Sequence, residues 1–377
     1  MMGVRERDYE LIDDRRSVVS LRNGAAGDEV NCLTLAGLGV PEPMGQQAYE
    51  DQLAARAAST LGEGWIVRRA VIRSMRSPLP GTARMPARVL TTSGAAVRRM
   101  AGAALYPRRG LVHRLDLRVP PAPGAEVVTV HDAVSWRFPD EAVPPLAAVA
   151  EVQRARAVVC PSQFTAGELA QLLGVRDPVV IPNGVAPECF SARQLGDREL
   201  AAVGVRRPFV LHVGGCGLRK NLSSLATAWE EVRSACPETA LVLVGPADRR
   251  RTALFAPLAG TVLTGRVSPE LRTRLMASAA AVVVPSVYEG FGLPAVEAMA
   301  AGAPVVAARR SSLPEVCGDS ALLVEPTPGS LALGLVDLLR SPTAAAELAE
   351  RGRARASDYS WDVSAAAHAE LWRRTAR

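Results

Sequence analysis

From residue 30 onward the chain alternates short apolar runs with amphipathic helical patterns, and after residue 208 the alternation starts again. In the first half "VNCLTLAGLGV", "GWIVRRAVI", "GLVHRLDL" and "EVVTVHD" read as strands. A helical pattern falls in "GQQAYEDQLAARAAS", and "EVQRARAVVCPSQFTAGELAQLLG" and "PVVIPNGV" follow. This rhythm describes a mostly parallel sheet covered by helices. A polar interval over 186–207 interrupts it. "PFVLHVGG", "TALVLVGP", "GTVLTGRV", "AAAVVVPSVYEG" and "APVVAARR" then supply a second set of strands, with "NLSSLATAWEEVRSAC" as a helix whose apolar face is Leu222, Leu225, Ala226, Trp229 and Val232. At 377 residues the chain exceeds what one core usually supports. The expected fold class is α/β with two Rossmann-like domains: a polar extension over 1–28, a first domain over 29–190 and a second from 191 to about 356. Ligands of such sheets sit beyond the carboxyl ends of the strands.

Composition removes several classes of function. Aromatic residues are 4% of the chain, too few for the stacking platforms of single-stranded nucleic acid binders, so no nucleic acid partner is expected. The six cysteines (Cys32, Cys160, Cys189, Cys216, Cys236, Cys317) form no CxxC and no Cys/His cluster, which speaks against a structural metal or a disulfide framework. The charged N-terminus lacks the apolar stretch of a signal peptide, and no apolar run approaches the ~20 residues of a membrane span, so a cytoplasmic location is expected. Gly37, Gly39 and Gly45 have the wrong spacing for GxGxxG, which leaves a nicotinamide or flavin enzyme unsupported. Net charge is +6, and residues 66–118 hold twelve arginines against the single acid Asp116. Such a basic face suits an anionic acceptor or a membrane surface, with a solvated Arg-rich surface as the competing reading.

The 44 Lys and Arg residues include a single lysine, Lys220, in "GGCGLRKNLSSL". Gly214, Gly215 and Gly217 let backbone approach a ligand. Arg219 and Lys220 follow, at a helix start whose N–H groups and dipole favour anions. Glycine turn, two cations and helix start describe a phosphate cradle. A guanidinium is a planar fork and an ammonium a compact point charge, so a site needing one of each would resist drift to Arg-Arg. Downstream, "PSVYEGFGLPAVEAMAAGAPVVA" sets Glu289 in a loop after a strand and Glu297 about one turn into a helix opened by Pro294. Carboxylates accept paired hydrogen bonds from vicinal hydroxyls, so the two are suited to two polyols.

With these motifs the segment 208–330 resembles the nucleotide-binding domain of the retaining glycosyltransferases of family 4, which have the GT-B fold. "RKN", "VGP" at Gly245, "TGRVSPEL" and "PSVYEGFGLPAVEAMAAGAPVVA" carry the likeness, and "VVTVHDAVSWRFP", "VVCPSQFTAGEL" and "VVIPNGV" extend it into the first domain. The resemblance implies a nucleotide-sugar partner, an acceptor on the first domain, no resident cofactor or metal, and a C-terminal helix over 357–377 returning to the first domain. It assigns Arg219 and Lys220 to the donor diphosphate, with the Gly215 loop. It gives Glu297 to the ribose, Glu289 and the backbone of Phe291, Gly292 and Leu293 to the transferred hexose, and Arg266 and Val267 to the base. His131 contacts the donor sugar from the first domain, and Gly45 lines the cleft, although "PEPMG" departs from the family's glycine pair. GDP-mannose is the first donor expected and a UDP-sugar the second. A GT-B epimerase or phosphorylase, or a non-enzymatic anion-binding protein, are the alternatives; the last leaves Glu289 and Glu297 unexplained.

Overall fold

The computed structural model describes residues 31–40 and 45–376. The expected extension over 1–28 and the residues 41–44 of "PEPMG" lie outside the described residues. The first sheet contains β1 (Asn31–Leu38), β2 (Trp65–Ser74), β3 (Ala83–Met85), β4 (Leu111–Arg114), β5 (Ala125–Thr129), β6 (Ala157–Cys160) and β7 (Val179–Val180), in the order β3-β2-β1-β4-β5-β6-β7. The second contains β8 (Phe209–Val213), β9 (Ala240–Val244), β10 (Thr261–Gly265), β11 (Ala281–Val284), β12 (Val305–Ala308) and β13 (Leu322–Val324), in the order β10-β9-β8-β11-β12-β13. Every pairing is parallel. The strands β9, β11 and β12 are almost wholly buried apolar runs, as a sheet covered on both faces requires. Strand order reverses once in each sheet, at β1/β4 and at β8/β11. Crevices at those two points are where the chain's ligand chemistry belongs.

The Arg-rich stretch is not one face. Arg98 and Arg114 are fully buried: Arg98 Nε and Arg114 Nη1 each bond Glu151 at 2.6 Å, and Arg114 Nε meets Glu126 at 3.0 Å. Their counter-charges come from the Ala148–Arg154 helix and β5, outside the stretch. Two short helices, Ala87–Thr92 and Ala95–Leu105, carry the rest of its length, with Arg88 and Arg99 exposed on them.

The chain crosses between the sheets twice, and the crossings touch: Val185 N–H donates to the Tyr359 carbonyl at 2.9 Å, beside a Val185–Ser360 bridge. The last helix, Trp361–Ala376, then packs on the Gly45–Leu61 helix and on β4 and β5. A buried chain of hydrogen bonds ties it down, and the donors can be followed from one end to the other. Trp372 Nε1–H can only donate, and it meets His113 Nδ1 at 3.1 Å. His113 Nε2 therefore carries the proton and donates to Thr129 Oγ1 at 2.8 Å, which donates to Tyr49 Oη at 3.1 Å. Tyr49 donates to His368 Nε2 at 2.7 Å, and His368 Nδ1–H donates to the Ser364 carbonyl at 2.7 Å.

Both histidines are neutral in this chain, and burial holds their pKa values down, that of His368 to about 4 from 6.5. The unfolded chain binds a proton below pH 6.5 that folded His368 refuses, so stability is complete above that pH and is lost as pH falls towards 4. Urea unfolding should show the wild type losing about 2 kcal/mol more than His368→Gln between about pH 7.5 and pH 5. Equal losses in the two proteins would contradict the assignment.

Candidate active site

At the β8/β11 crevice the loop leaving β8 is shaped by three fixed points. Arg251 donates through Nη2 to the Gly215 carbonyl at 2.9 Å and also to that of Gly214. Leu218–Lys220 form one 3-10 turn. Asn221 then adopts a left-handed conformation (φ 52°), which asparagine tolerates better than most residues, and its Nδ2 bonds the carbonyls of Pro285 at 3.2 Å and Pro326 at 2.9 Å. The helix Leu222–Ala235 starts there. Arg219 and Lys220 are thereby aimed across the crevice at the loop leaving β11.

Glu289 in that second loop meets both. Lys220 Nζ lies 2.6 Å from its Oε1 and Arg219 Nη1 lies 3.1 Å from its Oε2. Its backbone is held as well, the N–H donating to Ser311 Oγ and the carbonyl accepting from Ser312 Oγ, each at 2.9 Å. Burial would raise the Glu289 carboxyl, but Lys220 and Arg219 overcome it and hold the pKa at about 2. For Lys220 burial wins, lowering the ammonium pKa against the pull of Glu289. At 7% exposure Lys220 occupies a space sized for an ammonium, which gives the lone lysine a physical reason to persist beside an arginine.

The remaining expected residues divide. Phe291, Gly292 and Leu293 continue the Glu289 loop into the Leu293–Ala300 helix, and Gly45 faces them: a Cβ on Gly45 would lie 3.3 Å from Leu293 Cδ1. A Cβ on Gly290 would overlap the His131 carbonyl oxygen, so the backbone of the first domain presses directly on this loop. The His131 ring packs edge-on to Tyr49 at 4.7 Å, its Nε2 is buried with no hydrogen-bond partner, and burial lowers its pKa. Glu297 is engaged elsewhere: its Oε1 accepts from Arg272 Nη2 at 3.0 Å, and burial raises its carboxyl more than Arg272 lowers it. Arg266 is exposed after β10, and Val267 leans on the second domain's core.

Several site residues escape a reading of local motifs because their partners are far away in sequence. Ser162 Oγ and Thr165 Oγ1 both donate to the Gly290 carbonyl, at 2.6 and 3.0 Å. Tyr288 donates to Glu168 at 3.2 Å and accepts from Ala133 N–H at 3.1 Å. Glu315 takes the N–H groups of Gln163 and Phe164 at 2.8 and 3.0 Å. The motif "VVCPSQFTAGEL" thus holds the two halves together. At the β1/β4 crevice Gln46 Nε2 donates to Asp116 Oδ2 and Glu50 Oε1, both at 3.1 Å, and Arg118 pairs with Asp116 at 2.6 Å. Burial, aided by the Asp116 charge, pushes the Glu50 carboxyl to about 7.

Residues 207–341 match the family described as Glycosyl transferases group 1, and residues 110–188 match Glycosyltransferase Family 4. The second domain is thus similar to the group 1 glycosyltransferases and part of the first to family 4. Among curated relatives, the MMP alpha-(1->4)-mannosyltransferase of Mycolicibacterium hassiacum is 47% identical over 26% of this chain and 26% of its own length. The O-antigen chain mannosyltransferase B of Escherichia coli is 33% identical over 41% of this chain and 42% of its own. The matches therefore span less than half of either relative. Among solved structures, the sucrose-phosphate synthase of Thermosynechococcus elongatus superposes with a TM-score of 0.71 at 23% identity, covering 91% of this chain and 98% of the other. The chain has the GT-B fold, two parallel sheets with their switch points turned to one cleft.

The Lys220–Glu289 pair changes one expectation. Removing a cation from a purely surface cradle would leave folding untouched, but Lys220 neutralises a buried carboxylate. Lys220→Ala should cost roughly 1–3 kcal/mol of stability, less than the loss of a sole buried partner because Arg219 remains. Chemical denaturation compared with Lys220→Ala/Glu289→Gln should recover part of that loss.

Proposed function

We propose that the chain transfers a hexose from a nucleoside-diphosphate sugar to an acceptor hydroxyl, with retention at the anomeric carbon and without a metal. The observation that carries this reading is the buried Arg219–Lys220–Glu289 cluster at the β8/β11 crevice. As the sugar–oxygen bond breaks, charge grows on the departing diphosphate. Two positioned cations beside a helix start are suited to stabilising it, the largest contribution in most such reactions. Glu289 would hold the sugar, with the backbone of Phe291–Leu293 below it and His131 above. Glu297 would take the ribose, with Arg266 and Val267 near the base. GDP-mannose is the first candidate donor, supported by the mannosyltransferase relatives, and a UDP-sugar the second. Retention, with front-face attack by the acceptor, follows the family resemblance. The reaction would take place in the cytoplasm.

A thermal-shift screen with GDP, UDP, ADP and dTDP in EDTA should raise the melting temperature with one of them, since a ligand that binds only the folded state stabilises it by mass action. No shift with any nucleotide would overturn the reading, and a strict need for Mg²⁺ would overturn its metal-free form. With the cognate nucleotide, Glu297→Ala should lose about 1–3 kcal/mol of affinity in calorimetry. Glu289→Gln should bind the nucleotide at least as tightly as wild type, because it frees two cations, while turnover falls by about 10²-fold.

A membrane-borne, anionic acceptor is supported by a patch beside the cleft. Val89, Val97, Met100, Val143 and Leu146 are large apolar side chains at 50–74% exposure. Leu146 N–H bonds the Thr91 carbonyl at 3.0 Å, which joins the two parts of the patch, and Arg84, Arg88 and Arg99 stand exposed around it. Apolar side chains ringed by arginines complement an anionic lipid surface. Among the described residues no helix is long and apolar enough to cross a membrane. Sedimentation with phosphatidylglycerol vesicles should bring the protein down at low salt and release it at high salt. Val97→Asp/Met100→Asp should stay in solution; equal sedimentation with neutral vesicles would remove the role of the arginines, and failure to sediment with either would point to a water-borne acceptor.

A further inference from the structure

Glu141 belongs to the first domain, in the loop that follows the Val134–Arg137 helix, yet its carboxylate lies in the glycine loop of the second. Oε1 accepts the Arg219 backbone N–H at 3.0 Å and Oε2 accepts Arg219 Nε at 3.1 Å. Both side chains are 18% exposed. A Cβ on Gly217 would overlap the same carboxylate, so the loop admits it only because residue 217 is glycine. A backbone N–H, a guanidinium and a position without a side chain make an anion seat, the chemistry expected of a phosphate site. In this structure a carboxylate fills it.

The charges agree with that view. Arg219 and Lys220 face Glu289 and Glu141, two cations against two carboxylates, and Asp132 adds further negative potential at Arg219. A diphosphate entering this arrangement meets no net positive charge. With Glu141 withdrawn the balance shifts one unit towards positive. The loop that carries Glu141 is fixed near both ends: Glu141 N–H closes a turn on the Phe138 carbonyl at 2.9 Å, and Leu146 N–H bonds the Thr91 carbonyl at 3.0 Å.

We propose that Glu141 is a stand-in for the donor phosphate, seated on Arg219 and the Gly217 loop while the donor is absent and exchanged for phosphate when it binds. This rests on the donor reading given above. It makes Glu141 a residue that sets donor affinity and links that affinity to the contact between domains, without touching the reacting atoms.

Calorimetry of wild type, Glu141→Gln and Glu141→Ala with the cognate nucleoside diphosphate, and separately with inorganic pyrophosphate, tests it. Glu141→Gln is isosteric and keeps the fold; Glu141→Ala removes the competitor altogether. Both variants should bind nucleotide and pyrophosphate about 10-fold more tightly than wild type, and the donor KM should fall in parallel. Unchanged affinity would reduce Glu141 to a structural ion pair, and weaker affinity would make it a support for Arg219; either overturns the proposal while leaving the donor site standing. If neither wild type nor variants bind nucleotide or pyrophosphate, the seat is not a phosphate site and both readings fall.

Discussion

An ammonium taken out of water is tolerated only against a matching carboxylate, and the cleft of this protein is organised by that requirement. Lys220 cannot be buried without Glu289, and Glu289 cannot be buried without Lys220 and Arg219. The loops leaving β8 and β11 are therefore locked to each other, with the Asn221 amide on the Pro285 carbonyl and the Val287 N–H on the Arg219 carbonyl holding the same spacing. The first domain obeys the same rule with other residues: Arg98 and Arg114 are buried on Glu151 and Glu126. In each domain a set of balanced interior charges sits near the end of the strands, where backbone alone would leave the loops free.

The contact between the domains is of a different kind. Gly290 accepts from Ser162 and Thr165, Tyr288 meets Glu168, and Glu315 caps the N-terminus of the Gln163–Leu173 helix. The Ser162, Thr165 and Tyr288 bonds are buried, and those of Glu315 lie at the exposed edge, where water can replace them at little net cost. The interiors of the domains are mainly apolar with a few balanced charges, and the surface between them is held by polar groups.

The fold was legible because continuous apolar strands such as β9, β11 and β12 are what two-sided burial demands of a sequence. β3 and β13 were not read; three residues each is too short to carry a period. Lys220 and Glu289 could be found because each stands in a glycine-marked loop directly after an apolar strand. Glu141, Glu315 and Ser162 could not, since what gives each its role is a partner 78 to 152 residues away and no local pattern records it. The same limit misled the reading of the arginines: a run of like charges shows how many cations there are and not which of them have their counter-ions supplied from another strand.

The side-by-side chain crossings have a mechanical meaning. A domain hung on a single strand can swivel and twist about every bond of that strand. Here Val185 and Ser360 are bridged as the chain passes out and back, and the Trp361–Ala376 helix immediately clamps the returning end to the first domain. Two linked crossings define an axis, as two pins define a door hinge. The second domain is left with rotation about that axis as its easiest movement, and the polar contacts across the cleft, Glu141 on Arg219 among them, are what such a rotation would open.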